Sequence, residues 1–396
     1  MTTTESVDLV REITITLERK NRHLSGEPAE GILFEGVEQV PLEPRRLRRA
    51  KKSYNARELW NHLKETNGDG YHLVRGTDVE PQPGDFVLAR VTTIGQHKRL
   101  ESHSSRRRHL FHGDEIIVAY GNRYAPDQFL AEVPRNLNYT NLVAAGGMAG
   151  RVIDKHASIL PATVIEPLGL IADSEGIINM KRLAPARVRP WRDALAEFEA
   201  LEQRPTVFMV FGSSMNSGKS TTVGCLVNGL SNAGKIVNAG KATGTGAGND
   251  AGLFNDAGAD RVMDFTDFGL GSTFKLSFEQ VKDMVFSIVA TLADDSPDVV
   301  VVEIADGIYQ GETSSLVNDA DFRALTDKVL FACGEALSAA AGTALLREAE
   351  LPLVAVSGRL TASPLVTSEA REVVDVPIIQ TYDLCLPEVA LEVLAS

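Results

Sequence analysis

Hydrophobic residues in the second half of the chain form short uninterrupted runs. These runs cover 206–211, 235–240, 298–305, 328–333, 351–356 and 376–380. Runs of this length predict strands that are buried on both faces. The stretches between or after them have helical character, most clearly from about Gly218 to Ala233. Strands that alternate with helices predict a doubly wound, mostly parallel α/β domain over 205–396.

The first half follows a different pattern. Residues 71–135 contain β-type segments separated by turns rich in glycine, proline and aspartate, and residues 165–183 predict a further hairpin with its tip at Asp173–Gly176. A short helix is predicted near 55–65. We therefore expect a smaller β-rich barrel or sandwich ahead of the α/β domain. The predicted division is 1–66 as an N-terminal segment with a short helix, 67–204 as the β-rich domain and connector, and 205–396 as the α/β domain.

Composition agrees with a globular chain of more than one module. The 396 residues are 43% hydrophobic and 23% charged. Residues 201–396 hold 12 Lys and Arg against 26 Asp and Glu, whereas 1–150 hold 21 against 20. The three cysteines form no CxxC pair and predict buried thiols, and neither a leader peptide nor a membrane-length apolar stretch is found. A cytoplasmic protein with no membrane partner is the expectation.

A Gly-Lys-Ser sequence directly follows the first strand of the α/β region. An apolar strand leads into it and a helix leads out, which is the context that a phosphate-binding P-loop requires. In such a loop the main-chain amides and the helix N-terminus face phosphate groups, Lys219 reaches the outer phosphates and the Ser220 hydroxyl ligates Mg²⁺. The alternative is that Gly218 is only a turn and Lys219 an exposed lysine. The predicted nucleotide-binding residues are Gly212, Ser213, Ser214, Met215, Asn216, Ser217, Gly218, Lys219, Ser220 and Thr221.

The loop has an unusual spacing. Five residues separate Gly212 from Gly218, where the common P-loop has four. This arrangement resembles the dethiobiotin synthetase branch of the SIMIBI class of P-loop proteins, in which the first glycine lies one position upstream and a small hydroxyl residue follows it. The resemblance covers roughly 205–385 and none of the first 200 residues.

Further motifs extend this resemblance. In that family one strand ends in a lysine, followed by a small-residue turn and an aspartate, and another ends in a metal-binding glutamate. Here "AGKATGTGAGNDAGL" and "VVVVEIADG" occupy those places, and "VAVSGRLTAS" lies where a late strand helps to hold the base. The resemblance implies catalytic roles for Lys219, Lys241 and Glu303, Mg²⁺ ligation by Ser220, Asp250 and Glu303, and acceptor contacts from Thr243, Gly244 and Asp306.

The residue pattern by itself supports only some of these implied roles. An acid directly after four valines in a central strand is costly unless a cation accompanies it, which favours a functional Glu303. Asp250 could instead cap a helix, and Lys241 could be a surface charge. "IADG" replaces the family's Gly-Ala-Gly-Gly, which puts the acceptor pocket in question.

Two related nucleotide-binding classes are disfavoured. No lysine lies near Ser213 or Ser214, so the loop lacks the signature lysine of the MinD and ParA ATPases. No Asn-Lys-x-Asp motif occurs, which argues against a guanine-specific GTPase.

The leading hypothesis is phosphoryl transfer from Mg-ATP to an anionic small molecule. No histidine occurs after residue 156, and a carboxylate acceptor needs no histidine base because it is already anionic. This favours a kinase or ligase that forms an acyl phosphate, with ATP as substrate and Mg²⁺ as cofactor. The alternatives are a polynucleotide 5′-hydroxyl kinase and a switch or chaperone-type NTPase. A homodimer is expected.

Two basic clusters, 44–52 and 96–112, lie in the first half. Arg106, Arg107 and Arg108 are candidates for binding an anionic substrate, and nucleic acid is a less favoured partner. The other interpretation is a solvated loop and a basic surface helix, since the module is nearly neutral overall. The four histidines at 97, 103, 109 and 112 fit no standard metal spacing.

Overall fold

The computed structural model describes residues 35–396, so the predicted N-terminal segment lies mostly outside the described residues. The chain divides into two compact units, one ending at Leu183 and the other beginning at Ala184. Each unit is considered by itself.

The first unit is built mainly from strands. Its strands are β1 (Glu38–Pro41), β2 (Lys51–Lys52), β3 (His72–Arg75), β4 (Phe86–Thr93), β5 (Arg99–Glu101), β6 (Arg107–His109), β7 (Glu115–Tyr120), β8 (Arg123–Tyr124), β9 (Phe129–Glu132), β10 (Thr140–Ala144), β11 (Met148–Lys155), β12 (Thr163–Asp173) and β13 (Gly176–Ile177). Its helices are α1 (Pro44–Arg49), α2 (Arg57–Glu65) and α3 (Met180–Leu183), with a 3₁₀ turn at Tyr54–Ala56.

Most of these strands join one largely antiparallel sheet. The long strand β12 pairs with β3, β4, β10 and β13, and β4 pairs with β7 on its other side. Phe86 and Leu88 of β4 enter one apolar cluster while Val87 and Ala89 enter another. Because both faces of β4 are covered here, it begins with four successive apolar residues, Phe86 to Ala89, instead of an alternating pattern.

Two local predictions in this unit are confirmed. The helix predicted near 55–65 is α2. The hairpin tip is also present, since Asp173 pairs with Gly176 and Ala172 with Ile177. The barrel or sandwich, and the three-part division of the chain, stay predictions.

The second unit alternates strands and helices. Its strands are β14 (Thr206–Gly212), β15 (Val237–Lys241), β16 (Arg261–Asp264), β17 (Val299–Glu303), β18 (Lys328–Ala332) and β19 (Leu353–Ser357). Its helices are α4 (Trp191–Glu199), α5 (Lys219–Asn232), α6 (Gly248–Asp256), α7 (Phe278–Ala293), α8 (Gly311–Val317), α9 (Ala320–Leu325), α10 (Ala336–Glu348), α11 (Pro364–Val373) and α12 (Pro387–Ala395). Short 3₁₀ helices cover Phe265–Phe268, Arg359–Ala362 and Thr381–Cys385.

The predicted parallel sheet is confirmed. Its six strands run in the order β16-β15-β17-β14-β18-β19, and every pair is parallel. Val207 and Phe211 of β14 enter the apolar cluster on one face, and Phe208 and Val210 enter the cluster on the other. Helices therefore cover both faces, and the carboxyl ends of the strands meet at one edge, where sheets of this type bind ligands.

The sequence prediction was wrong at two places in this sheet. The run 376–380 is not a strand, because only Ile378 bridges to Val356 of β19, and Pro377 beside it has no N–H to extend the ladder. Conversely, β16 is a short edge strand that the apolar pattern did not predict.

Residues 184–204, which the sequence places in the connector, contribute α4 to the second unit. The ring of Trp191 lies 5.7 Å from that of Phe286 in α7, and its backbone N–H donates to Asp283. Over 35–396, no helix combines the length and the apolar character that crossing a bilayer would need.

Candidate active site

The loop between β14 and α5 requires glycine at both ends. Gly218 has a φ of 104°, and a Cβ there would lie 2.9 Å from the Cα of Gly358. At Gly212 a Cβ would lie 2.3 Å from Ser217 Oγ and 2.7 Å from Lys219 Cγ. A glycine at position 212 thus leaves room for the aliphatic part of Lys219 at the end of β14.

Lys219 points back into the loop. Only 5% of the residue is exposed, and its Nζ donates to the Ser214 carbonyl at 2.9 Å. Burial lowers the pKa of Lys219, and the nearby carboxylates of Glu303 and Asp306 oppose that shift. The buried Ser217 hydroxyl has no hydrogen-bond partner within the described part of the chain. The loop therefore holds one enclosed ammonium group and one unsatisfied hydroxyl.

Backbone hydrogen bonds hold this loop from neighbouring segments. The N–H of Ser213 donates to Ala332 at the end of β18, at 3.0 Å. The N–H of Ile308 donates to Gly212 at 2.9 Å, and the N–H of Arg359 donates to Ser217 at 2.9 Å. The loop is therefore fixed by the segments that follow β17 and β19, which preorganises it for a ligand.

A lysine and two acids meet beside the loop. Lys241 and Glu303 end adjacent strands in direct register, and their Nζ and Oε1 atoms are 3.2 Å apart. Asp250, in the first turn of α6, forms a second ion pair with Lys241 and a hydrogen bond with Ser220. Glu303 is 1% exposed, and its Oε2 has no hydrogen-bond partner within the described residues.

Electrostatic interactions keep this cluster ionised. Burial by itself lowers the pKa of Lys241, but Asp250 and Glu303 outweigh it and the pKa is raised. Burial by itself raises the pKa of Asp250, but Lys241 and the Ser220 hydroxyl outweigh it and the pKa is lowered. At neutral pH the site therefore presents ammonium and carboxylate groups side by side.

The predicted acceptor residues line a neighbouring turn. The Thr243 hydroxyl donates to the carbonyl of Ala305, and the Gly244 N–H donates to Thr273 Oγ1 at 2.8 Å. The Thr273 N–H returns a bond to the Gly244 carbonyl at 3.0 Å. Thr273 was not among the predicted site residues. The glycines near Thr273 were the only local indication of a role for it, because its partner Gly244 is almost 30 residues away in the sequence.

The structure brings together most of the predicted set. Lys219, Ser220, Lys241, Asp250 and Glu303 converge at the carboxyl edge of the sheet. Asp306 follows Glu303 and acts electrostatically on both lysines. Arg106, Arg107 and Arg108 lie in the hairpin of β5 and β6 in the first unit.

The oxygen groups of the cluster fit a hard divalent cation. Ser220, Asp250 and Glu303 offer only oxygen ligands, and the Oε2 of Glu303 is buried with no partner in the described chain. Over 35–396 no group of three or more His, Cys, Asp or Glu side chains could hold a metal ion. Two carboxylates and a hydroxyl suit Mg²⁺ better than a metal that needs a complete set of protein ligands, because Mg²⁺ keeps several waters and takes few protein ligands.

Comparisons with known proteins give weak likenesses only. No protein-family model and no curated protein matches the chain. Among solved structures, it is similar to the signal recognition particle receptor FtsY from Elizabethkingia anophelis (16% identity, 55% of this chain, 74% of that chain, TM-score 0.32). It is also similar to MinD complexed with Mg-ADP from Pyrococcus horikoshii (16% identity, 48% and 88%, TM-score 0.30).

A nucleotide-binding protein in complex with ADP from Archaeoglobus fulgidus gives 12% identity, 52% and 90% coverage, and a TM-score of 0.33. Matches at this level do not assign an activity. The assignment below rests on residues and contacts in this chain.

Proposed function

We propose that the second unit catalyses phosphoryl transfer from Mg-ATP to an anionic small molecule of the carboxylate class. The observation that carries this proposal is the convergence of Lys219, Lys241, Asp250 and Glu303 beside a glycine-bounded loop. Two buried cations close to two acids are costly in a protein interior unless they serve a ligand, and perturbed groups of this kind cluster at functional sites.

The loop would bind the triphosphate. Backbone N–H groups between Gly212 and Lys219, together with the N-terminus of α5, give a positive cradle for phosphate oxygens. The Lys219 ammonium, now bonded to Ser214, would turn to the outer phosphates. Because the loop is already held by neighbouring segments, little reorganisation would accompany binding.

Ser220, Asp250 and Glu303 would hold the divalent cation. When bound, Mg²⁺ would neutralise part of the charge of the β- and γ-phosphates. The ammonium of Lys241, positioned between the two acids, would contact the transferring phosphoryl group or the acceptor. Thr243 and Gly244, in the turn after Lys241, would face the acceptor.

The bond changes require no base. An acceptor carboxylate oxygen attacks the γ-phosphorus, the bond from that phosphorus to the bridging β-phosphate oxygen breaks, and ADP leaves with the electron pair. The products are an acyl phosphate and ADP, so a kinase or an acyl-phosphate ligase are both compatible. The described part of the second unit contains no histidine, which agrees with an acceptor that is already ionised.

Hydroxylamine trapping tests the chemistry. The full-length protein is incubated with Mg-ATP, hydroxylamine and a panel of mono- and dicarboxylic acids, and hydroxamate and ADP are measured together. We expect hydroxamate to form with at least one acid, in proportion to ADP. Lys219→Ala should abolish both products, whereas Lys235→Ala should not, since Lys235 is a surface lysine paired with Asp298.

The same assay separates the alternatives. ADP release without hydroxamate for any acid would favour an NTPase with a switch role. Transfer of labelled phosphate to an oligonucleotide with a free 5′-hydroxyl would favour a polynucleotide kinase. Either result would contradict carboxylate phosphorylation.

A further inference from the structure

The first unit contains a cleft of about 580 Å³. It lies between α1 and the segments around Lys51 and Asp114, and its lining includes residues of the basic cluster 44–52. Its volume is within the range of pockets that bind small molecules. None of the residues of the proposed phosphoryl-transfer site lines it.

Some of the charges in the cleft are already paired. Arg46 donates two hydrogen bonds to Glu115, at 2.9 Å and 2.7 Å, which raises the pKa of Arg46 and lowers that of Glu115. Lys51 forms an ion pair with Asp114, which also accepts the N–H of Phe111 at 2.7 Å. These contacts fix α1 against the strand end and give the cleft rigid walls.

Two arginines in the cleft remain available. The side chains of Arg45 and Arg49 are exposed, and neither forms an ion pair or a hydrogen bond with any residue of 35–396. They are four residues apart on α1, so they lie on the same face of the helix. Two guanidinium groups at this spacing can both donate to the oxygens of one phosphate group.

The acids of the cleft limit the kind of ligand. Arg45, Arg46, Arg49 and Lys51 face Glu43, Asp114 and Glu115, so the lining has four cations, three acids and a net charge of one positive unit. A nucleic acid carries a phosphate on every nucleotide, so some of its phosphates would lie against these carboxylates. A ligand with a single phosphate group would place it at the two arginines. Carboxylates nearby would also accept hydrogen bonds from hydroxyl groups of the same ligand.

We propose that this cleft binds the phosphate group of a small hydroxylated phosphate monoester through Arg45 and Arg49. The cleft shares no lining residue with the phosphate-binding loop proposed for the second unit. It gives the basic cluster 44–52 a role that the proposed phosphoryl transfer does not use.

Titration calorimetry with the full-length protein tests this assignment. Glycerol 3-phosphate is the probe, and the measurement is made with the native chain and with Lys219→Ala, so that a failure of the loop proposal is seen separately. Binding should persist in Lys219→Ala. The double variant Arg45→Gln/Arg49→Gln should weaken it by about tenfold or more, since hydrogen bonds between charged groups are the strong ones.

Arg48→Gln is the matched control. Arg48 lies on the same helix, but its guanidinium donates to the Asn67 carbonyl at 3.0 Å and does not line the cleft. An equal loss in Arg48→Gln, or no binding to the native chain, would overturn the proposal. So would much tighter, steeply salt-dependent binding of a single-stranded oligonucleotide of about 12 nucleotides. All three arginines are exposed, so we expect each variant to fold, and circular dichroism of each variant checks this.

Discussion

Four ionisable side chains of the second unit meet at one edge of a sheet, whereas the buried Lys52 of the first unit donates to backbone carbonyls. Lys241 lies between Asp250 and Glu303, with Lys219 in the adjoining loop. In the first unit, Lys52 is 3% exposed and donates to carbonyls at the end of α1. The cluster in the second unit leaves donors and acceptors free for a ligand, whereas the contacts of Lys52 in the first unit stabilise the fold.

Asp85 and His97 are two further buried ionisable groups of the first unit. Asp85 accepts hydrogen bonds from the Gln82 N–H and the Asn179 amide, both at 2.8 Å. His97 is 9% exposed, and burial lowers its pKa to about 4. Substitution of the four clustered groups in the second unit should therefore affect ligand binding most, and substitution of Lys52, Asp85 or His97 in the first unit should affect stability most.

The largest expected effect is loss of nucleotide stabilisation in Lys219→Ala. A nucleotide at 100 times its Kd should stabilise the native protein by about 2.7 kcal/mol. Lys219→Ala should lose this stabilisation because the loop loses its only enclosed ammonium among the described residues. Thermal unfolding with and without Mg-ATP measures it. Lys235→Ala, which changes a partly exposed lysine paired with Asp298, should keep the shift. An unchanged shift in Lys219→Ala would contradict the assignment of the loop.

Glu303→Gln should reduce turnover by about 100-fold or more, since electrostatic contacts at the reacting phosphates contribute effects of this size. The amide keeps the volume of the carboxylate. We therefore expect a small change in the free energy of unfolding without ligand and a large decrease in turnover. The measurements are the rate of ADP formation at several Mg²⁺ concentrations and urea unfolding. Glu279→Gln, an exposed acid at the start of α7, serves as control. If the two variants have equal turnover, Glu303 is not in the active site.

His97 predicts acid sensitivity that is confined to the first unit. The folded pKa of about 4 is below the ordinary value of 6.5, so between these pH values the unfolded chain binds a proton that the folded chain does not. Stability should therefore fall as the pH decreases from 6.5 to 4, by up to about 3 kcal/mol. His97→Gln should remove this part of the dependence, and exposed His112→Gln should not.

The two tryptophans make that measurement specific. Trp60 belongs to the first unit and Trp191 to the second. In a Trp191→Phe background, urea unfolding followed by fluorescence reports on the first unit alone. The same pH dependence in His97→Gln as in the native chain would show that other groups cause the acid sensitivity.

Local sequence was sufficient for the parts of the site that are continuous in the chain. The strand, loop and helix from Thr206 to Asn232 were predicted together, because an apolar run, a glycine-serine turn and a Gly-Lys-Ser sequence are neighbours. Glu303 was predicted because an acid after four valines is costly when buried. The shape of the sheet in the first unit was harder to predict from the sequence, since several of its strands have only two to four residues.

Contacts between distant segments could not be read from the sequence. Thr273 meets Gly244, and Gly358 meets Gly218, only because crossovers return the chain to the same edge of the sheet. The edge strand β16 was missed because it is short and only half-buried at its start. The cleft of the first unit depends on pairing between β2 and β7, which have no shared sequence pattern.

The close approach of Gly218 and Gly358 links early and late parts of the second unit. Gly218, which precedes α5 and has a left-handed conformation, lies against a segment that is made about 140 residues later. During synthesis the loop would lack one of its supports until Gly358 has emerged and β19 has joined the sheet. The loop proposed to bind phosphate would thus be completed late in synthesis, although Lys219 is made near the middle of the chain.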